Sequence, residues 1–125
     1  MIMKNNIKIS VQVAKLPQHT SPFESKYAFA YTITITNQGK IGAQLINRHW
    51  IIQDETGNID EVSGAGVIGK QPHLLPGESF EYTSGSVIKT STGTMKGEYA
   101  MINDDGERFN ATIAEFVLSE PYTLQ

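Results

Sequence analysis

The stretch that organises the chain is EVSGAGVIGKQPHLLPGESFEY, residues 61–82. It holds Gly64, Gly66 and Gly69 close together, and Pro76-Gly77 follows just before an alternating segment. Glycine accepts backbone conformations that other residues avoid, and proline fixes its own φ, so both mark turns. We therefore predict a loop, a corner and the start of a strand in this stretch.

On both sides of this stretch, apolar residues alternate with polar ones, which is the pattern of a half-buried strand. The predicted strands cover residues 7–13, 27–35, 45–53, 59–62, 80–88, 95–102 and 109–118. We expect Trp50 and Ile52 to face the core. We expect Ser84-Gly85-Ser86 to break or bulge its strand, and residues 119–125 to form an extended coil.

No segment of ten or more residues carries the apolar stripe of a helix. Seven or eight short strands separated by turn signals are typical of an antiparallel sandwich. We therefore predict an all-β, immunoglobulin-like or fibronectin type III-like fold, formed by residues 1–125 as a single domain. An OB-fold barrel is the alternative, but that fold usually carries a helix between strands.

The composition excludes several classes of protein. The chain has no cysteine, and its formal net charge is −3. A disulfide framework is therefore excluded, and a nucleic-acid partner is not expected because such proteins normally have a basic surface. We see no signal peptide and no apolar run of the ~20 residues needed to span a membrane. These features predict a cytoplasmic protein without a membrane partner.

Residues 64–69, GAGVIG, have the letters of a dinucleotide-binding motif. That motif needs a helix to start in the loop, and Pro72 and Pro76 follow too soon for one. Two interpretations stay open. The glycines either turn a structural corner, or they aim backbone amides at an anion, such as a pyrophosphate or nucleotide phosphate. The candidate anion-binding residues are then Gly64, Gly66, Gly69, Lys70 and Arg48.

Nothing in the sequence predicts catalysis or a bound metal. The three histidines, at positions 19, 49 and 73, lack the spacing of metal ligands. The acidic pairs fall at turns, where solvated carboxylates are common, and no stretch resembles a calcium loop. There is no cysteine nucleophile and no Gly-x-Ser-x-Gly elbow. We predict a protein that is not an enzyme, with no cofactor and no metal site.

Four separated motifs resemble the bacterial ApaG family. They are RHWII (48–52), VSGAGVIGKQP (62–72), PGESFEYTSG (76–85) and GTMKGEY (93–99). The resemblance implies a fibronectin type III-like sandwich and a cytoplasmic protein that the family label links to cobalt and magnesium homeostasis. Similar domains in eukaryotic F-box proteins imply a protein-interaction role. Many relatives carry an acidic residue where this chain has Ala65, which argues against metal binding there.

Our leading hypothesis is a non-enzymatic module that binds a partner protein through a sheet face or edge, with residues 64–72 shaping that surface. The alternative is a module that binds a phosphate-containing small molecule through the glycine loop. A homodimer formed through an edge strand is a further expectation, because open sandwiches expose edges. Sequence alone leaves open whether Arg48, Lys70, Lys89 and Lys96 converge.

Overall fold

The structure is a computed structural model, and it describes residues 3–119 and 122–124. Two single-turn 3-10 helices, Pro17–His19 and Pro22–Glu24, interrupt an otherwise all-β chain. No helix in these residues is long and apolar enough to cross a membrane. The strands are β1 (Ile7–Lys15), β2 (Tyr27–Asn37), β3 (Ala43–Asp54), β4 (Ile59–Ala65), β5 (His73–Leu74), β6 (Ser79–Ile88), β7 (Gly93–Asn103), β8 (Arg108–Leu118) and β9 (Tyr122–Leu124).

The strands form two antiparallel sheets. The first sheet has the order β6-β2-β1-β9, and the second has the order β4-β3-β7-β8, with β5 paired to the start of β3. This arrangement confirms the predicted sandwich. The described residues form nine strands instead of seven or eight, because β5 and β9 are too short to give an alternating pattern in the sequence.

The core lies between the sheets around Trp50, which is 2% exposed. Its ring centroid lies 5.5 Å from that of Tyr31 in the first sheet, and 6.2 and 6.0 Å from those of Tyr99 and Phe116 in the second. Edge-on aromatic contacts of this kind add to the free energy of burial. Ile52 packs against the same core. The prediction that Trp50 and Ile52 face the core is therefore confirmed.

A bulge in β3 sets which side chains face inward. The pairing of β3 with β7 shifts register between Leu45 and Asn47, so Ile46 is the extra residue. A bulge reverses the alternation of faces along a strand. Consequently Leu45 and Arg48 share the inner face, although they are three positions apart in the sequence, and Arg48 lies on the same face as Trp50.

Two local predictions are wrong. Residues 84–86 do not break β6, which pairs with β2 in unbroken register from Ser79 to Ile88. Their small polar side chains reflect an edge strand, where less apolar surface must be buried. The tail is not wholly coil, since Tyr122–Leu124 pairs with the edge of β1. Residues 120, 121 and 125 lie outside the described residues.

Candidate functional site

A two-residue hairpin turn follows β4. Val67 and Lys70 donate their backbone N–H groups to each other's carbonyl oxygens over 2.8 and 2.9 Å. Between them, Ile68 and Gly69 have φ values of 45° and 76°, as a type I′ turn requires. Positive φ suits glycine but strains a β-branched residue. The turn therefore holds the Ile68 side chain, which is 54% exposed, at a conformational cost.

Backbone hydrogen bonds already use three amides of the glycine loop. Gly66 donates to the Ile46 carbonyl oxygen over 2.8 Å, and the amides of Val67 and Lys70 bond across the turn. A Cβ on Gly66 would lie 2.3 Å from the Lys70 carbonyl oxygen, so the backbone can fold back here only with glycine. These three amides are not available to an anion, which favours the structural-corner interpretation of the motif.

The guanidinium of Arg48 lies against the end of β4. Its Nη1 donates to the carbonyl oxygens of Ala65 and Gly66 over 3.1 and 3.0 Å. Gly64 pairs directly with Arg48 across the strands, and a Cβ on Gly64 would lie 2.9 Å from Nη1 and 3.0 Å from Nη2. Gly64 therefore leaves the space that the guanidinium occupies, and Gly66 supplies one of the carbonyls that orient it.

Arg48 lines a pocket of about 220 Å³. The pocket opens at the side of the sandwich where β4 and β6 are the edge strands of the two sheets. The residues lining it are Tyr31, Arg48, Trp50, Val67, Ile68, Gly69, Tyr82 and Ser84. We call this the Arg48 pocket. It has aromatic walls, one hydroxyl-bearing serine and one cation.

Among the described residues that line the pocket, Arg48 carries the one charged group. The hydroxyls of Tyr82 and Tyr99 share a buried hydrogen bond, and burial raises the pKa of both residues well above the ordinary value for tyrosine, although Arg48 opposes this shift. Both tyrosines are therefore neutral at physiological pH. Within residues 3–119, no carboxylate oxygen lies within 4.0 Å of the Arg48 guanidinium.

The structure brings together four of the five predicted anion-site residues. Arg48 and Gly69 line the pocket, and Gly64 and Gly66 position the guanidinium of Arg48. Lys70 is exposed and lies outside the lining. Lys89 and Lys96 line other surface depressions, so the four cations do not converge. Whether the five residues bind an anion stays a prediction.

Sequence reasoning missed the first-sheet wall of the pocket. Tyr31 and Tyr82 are predicted strand residues and Ser84 belongs to the predicted break or bulge, but none of the three is predicted to form a site. A signal was present for Ser84, because it shares the parity of the apolar residues Phe80 and Tyr82. A serine at a strand position that shares its face with apolar residues indicates that the inward face of the strand is not fully enclosed by apolar side chains there.

The second candidate surface is the edge of β6 that no strand of the described residues pairs with, which we call the free edge. The N–H of Ala28 donates to Thr20 Oγ1 and its carbonyl accepts from the Leu16 N–H, so both groups of Ala28 point away from its β6 partner Val87. In an antiparallel pair, bonded and non-bonded positions alternate. The backbone groups that β6 directs away from β2 therefore include those of Glu81, Thr83, Gly85 and Val87.

Two of the three histidines take part in ordinary surface pairs. His49 Nε2 lies 3.2 Å from Glu61 Oε2, and His73 Nε2 lies 2.7 Å from Asp104 Oδ1. His49 also borders a shallow depression of about 420 Å³ on the outer face of the second sheet. Among the side chains described, no group of three or more His, Asp or Glu residues is placed to hold a metal ion.

Comparison with known proteins identifies relatives over nearly the whole chain. The family model described as the ApaG domain matches residues 17–103. Curated proteins named Protein ApaG from Ralstonia nicotianae and Dechloromonas aromatica are 51% and 52% identical to the chain. These matches cover 94% and 96% of this chain, and 95% and 96% of the relatives.

A solved structure agrees with the fold. A Bordetella pertussis protein named ApaA superposes with a TM-score of 0.92 at 44% identity, and the match covers 95% of this chain and 97% of that chain. A structural-genomics target gives a TM-score of 0.88 at 46% identity, over 94% of this chain and 89% of its own.

Proposed function

The chain belongs to the ApaG family, and we propose that it is a non-enzymatic protein-interaction module that pairs an extended strand of a partner protein with the free edge of β6. The observation that carries this proposal is the row of backbone groups that β6 directs away from β2. Addition of a strand to a sheet edge gives affinity through main-chain hydrogen bonds, and side-chain pockets give specificity.

β6 lacks the devices that usually protect an edge strand. Natural proteins block such edges with prolines, charges, bulges or short strands. β6 is ten residues long, pairs with β2 without a bulge, contains no proline and carries one charged residue, Glu81. By contrast, β4 is shorter and carries adjacent acidic residues, and β8 bulges opposite β7. β6 is therefore the edge best suited to strand addition.

Exposed apolar side chains lie close to this edge. Val87 on β6 is 58% exposed, and Ile68 lines the Arg48 pocket together with Ser84 of β6. Each main-chain hydrogen bond adds little net binding free energy, because it replaces hydrogen bonds to water. Apolar side chains beside the edge would add binding free energy by becoming buried against the partner. The hairpin after β4 thus contributes to the same surface. A link to cobalt and magnesium homeostasis would act through the partner protein.

A proline at Thr83 tests the proposal. The Thr83 N–H points to the free edge, so Thr83→Pro removes an edge donor without removing a bond to β2. Thr83→Val is the matched control, since it keeps the amide and removes only the hydroxyl that bonds Thr32. Each immobilised variant is incubated with native cell lysate, and retained proteins are quantified by mass spectrometry.

We expect one protein to be retained equally by the wild type and Thr83→Val and about tenfold less by Thr83→Pro, the effect of losing one interface hydrogen bond and its geometry. Circular dichroism verifies that each variant is folded. Equal retention by all three variants would overturn the edge proposal. If the retained protein is a second copy of this chain, the edge forms the homodimer, and sedimentation of Thr83→Pro should then give a monomer.

The phosphate alternative has less support, because three of the loop amides are used within the fold. It stays a prediction with a direct test, an amide NMR titration with pyrophosphate and diadenosine tetraphosphate. Saturable shifts confined to residues 64–70 would favour it over strand addition.

A further inference from the structure

The Arg48 pocket opens beside the edge of β6. Tyr82 and Ser84 belong to β6 and also line the pocket. In a sheet, directly opposed residues on neighbouring strands project their side chains to the same face. A strand paired with the free edge of β6 would therefore direct the side chain opposite Ser84 towards the mouth of the pocket.

Some N–H groups of the Arg48 guanidinium have no hydrogen-bond acceptor among the described residues. Nη1 is held by two backbone carbonyls, while none of the described residues accepts a hydrogen bond from Nη2 or Nε of Arg48. No buried side-chain nitrogen or oxygen of the described residues lacks a hydrogen-bond partner, so the unused N–H groups of Arg48 are open to solvent. A carboxylate can accept two parallel N–H groups from such a guanidinium.

We infer that the Arg48 pocket binds the carboxylate of an acidic side chain that the partner strand presents opposite Ser84. This inference rests on the proposed function, and it names the chemistry that the partner must carry. The strand would be recognised by main-chain pairing along β6 and by one Asp or Glu at the pocket.

A carboxylate fits the pocket better than a phosphate group does. The lining supplies one cation, since Lys70 lies outside it. The rings of Tyr31, Trp50 and Tyr82 supply apolar walls that suit the methylene stem of an acidic side chain. The two carbonyls on Nη1 fix the guanidinium plane, which favours planar, bidentate recognition.

An NMR titration of the full chain tests this inference. The probes are glutamate blocked at both backbone ends, the equally blocked glutamine, and inorganic phosphate, each added at constant ionic strength into the high millimolar range. The observed signals are the Arg48 Nε–H and the backbone amides of β6. The variants are Arg48→Gln, Arg48→Lys, and Lys70→Gln as a matched control that removes a nearby cation outside the pocket.

We expect a saturable shift of the Arg48 Nε–H with blocked glutamate and none with blocked glutamine. The β6 amide response should persist in Lys70→Gln, weaken in Arg48→Lys and vanish in Arg48→Gln. Equal responses to glutamate and glutamine, no response to glutamate, or a stronger response to phosphate would each overturn the inference. The comparison of probes on the wild type is decisive even if Arg48→Gln fails to fold.

The two proposals fail in different ways. If the titration shows no glutamate-specific response but Thr83→Pro loses partner capture, the carboxylate site is ruled out and strand addition at β6 is retained. If blocked glutamate gives a specific response but Thr83→Pro captures the partner undiminished, strand addition at β6 is ruled out. The Arg48 pocket is then a carboxylate site that does not depend on strand pairing.

Discussion

Ile68 combines backbone strain with exposure. It has φ 45° in the hairpin turn after β4, and its side chain is 54% exposed. Non-glycine residues in sparsely populated backbone regions cost about 1–3 kcal/mol and tend to cluster at functional sites. A residue that gains little burial in the free protein and costs backbone energy is consistent with a role in contacting a partner.

Replacing Ile68 should therefore stabilise the free protein. Asparagine tolerates positive φ, and Asn-Gly is a preferred type I′ pair. We expect Ile68→Asn to raise the free energy of unfolding by about 1 kcal/mol, measured by urea denaturation, while partner capture falls. Ile59→Asn, at a similarly exposed strand position on β4, is the control and should not stabilise. A destabilised Ile68→Asn would contradict this account of the turn.

Asp54 organises the turn between β3 and β4. Its Oδ1 accepts hydrogen bonds from the Thr56 hydroxyl, the Thr56 N–H and the Asn58 N–H over 2.7, 2.9 and 3.1 Å. These bonds, led by the Thr56 hydroxyl, hold the pKa of Asp54 below its usual 3.8. The carboxylate thus stabilises the fold above the unfolded-state pKa, and this stabilisation is lost as pH falls through the lower folded-state pKa.

The Asp54→Asn variant should show this pH dependence. We expect it to unfold more easily than the wild type at neutral pH, and we expect the difference in unfolding free energy to be smaller at a pH below the unfolded-state pKa of 3.8. Urea denaturation at both pH values measures this difference. Asp60→Asn removes an exposed carboxylate on β4 and should change stability less. If the difference in unfolding free energy between the wild type and Asp54→Asn grew on acidification, the stabilising role of the Asp54 carboxylate would be contradicted.

At the scale of strands, two glycines differ in what surrounds them. Gly85 lies within β6, where a Cβ would lie 3.5 Å from the Phe29 carbonyl oxygen, an ordinary contact. Gly97 lies within β7, where a Cβ would lie 2.0 Å from the His49 carbonyl oxygen. The first glycine could be replaced without a clash, whereas the second is required by the close approach of β3.

Alanine at the two positions should have opposite effects. Gly85→Ala should stabilise by about 0.5–1 kcal/mol, because glycine in a strand loses more conformational entropy on folding. Gly97→Ala should destabilise by roughly 2 kcal/mol or more, because it forces two paired backbones apart. Thermal and urea unfolding of both variants measure the changes. Similar effects at the two sites would show that the β3–β7 approach is not as close as described.

The strands were predictable wherever one face is apolar, as in β2, where alternation runs from Tyr27 to Ile35. The interpretation of residues 84–86 failed for a physical reason. Ser and Gly have low strand propensity, but that propensity chiefly reflects packing against neighbours on both sides, and β6 has a neighbour on one side. Sequence alternation does not show which strands lie at the edge of a sheet. The free edge of β6 could therefore be identified only from the strand order in the structure.

At the scale of the whole molecule, the Arg48 pocket depends on features far apart in the chain. Arg48 was a predicted site residue, and strand alternation already places it on the inner face with Trp50, whereas the bulge at Ile46 brings Leu45 onto that face as well. The first-sheet wall comes from β2 and β6, and the hairpin after β4 closes one side. The sequence predicted Arg48 and the glycines as site residues. That the glycines make room for and orient the Arg48 guanidinium depends on how the strands pack, which the sequence pattern does not give.

The central claim is that a partner strand pairs with the free edge of β6. The most direct test is amide hydrogen exchange, measured residue by residue, of the protein alone and in complex with the protein it captures. We predict that the amides of Glu81, Thr83, Gly85 and Val87 exchange quickly in the free protein and become protected in the complex, while those of Tyr82 and Ser84, which already bond β2, change little. Protection confined to β4, β8 or the outer face of the second sheet, with these four amides unchanged, would contradict the claim.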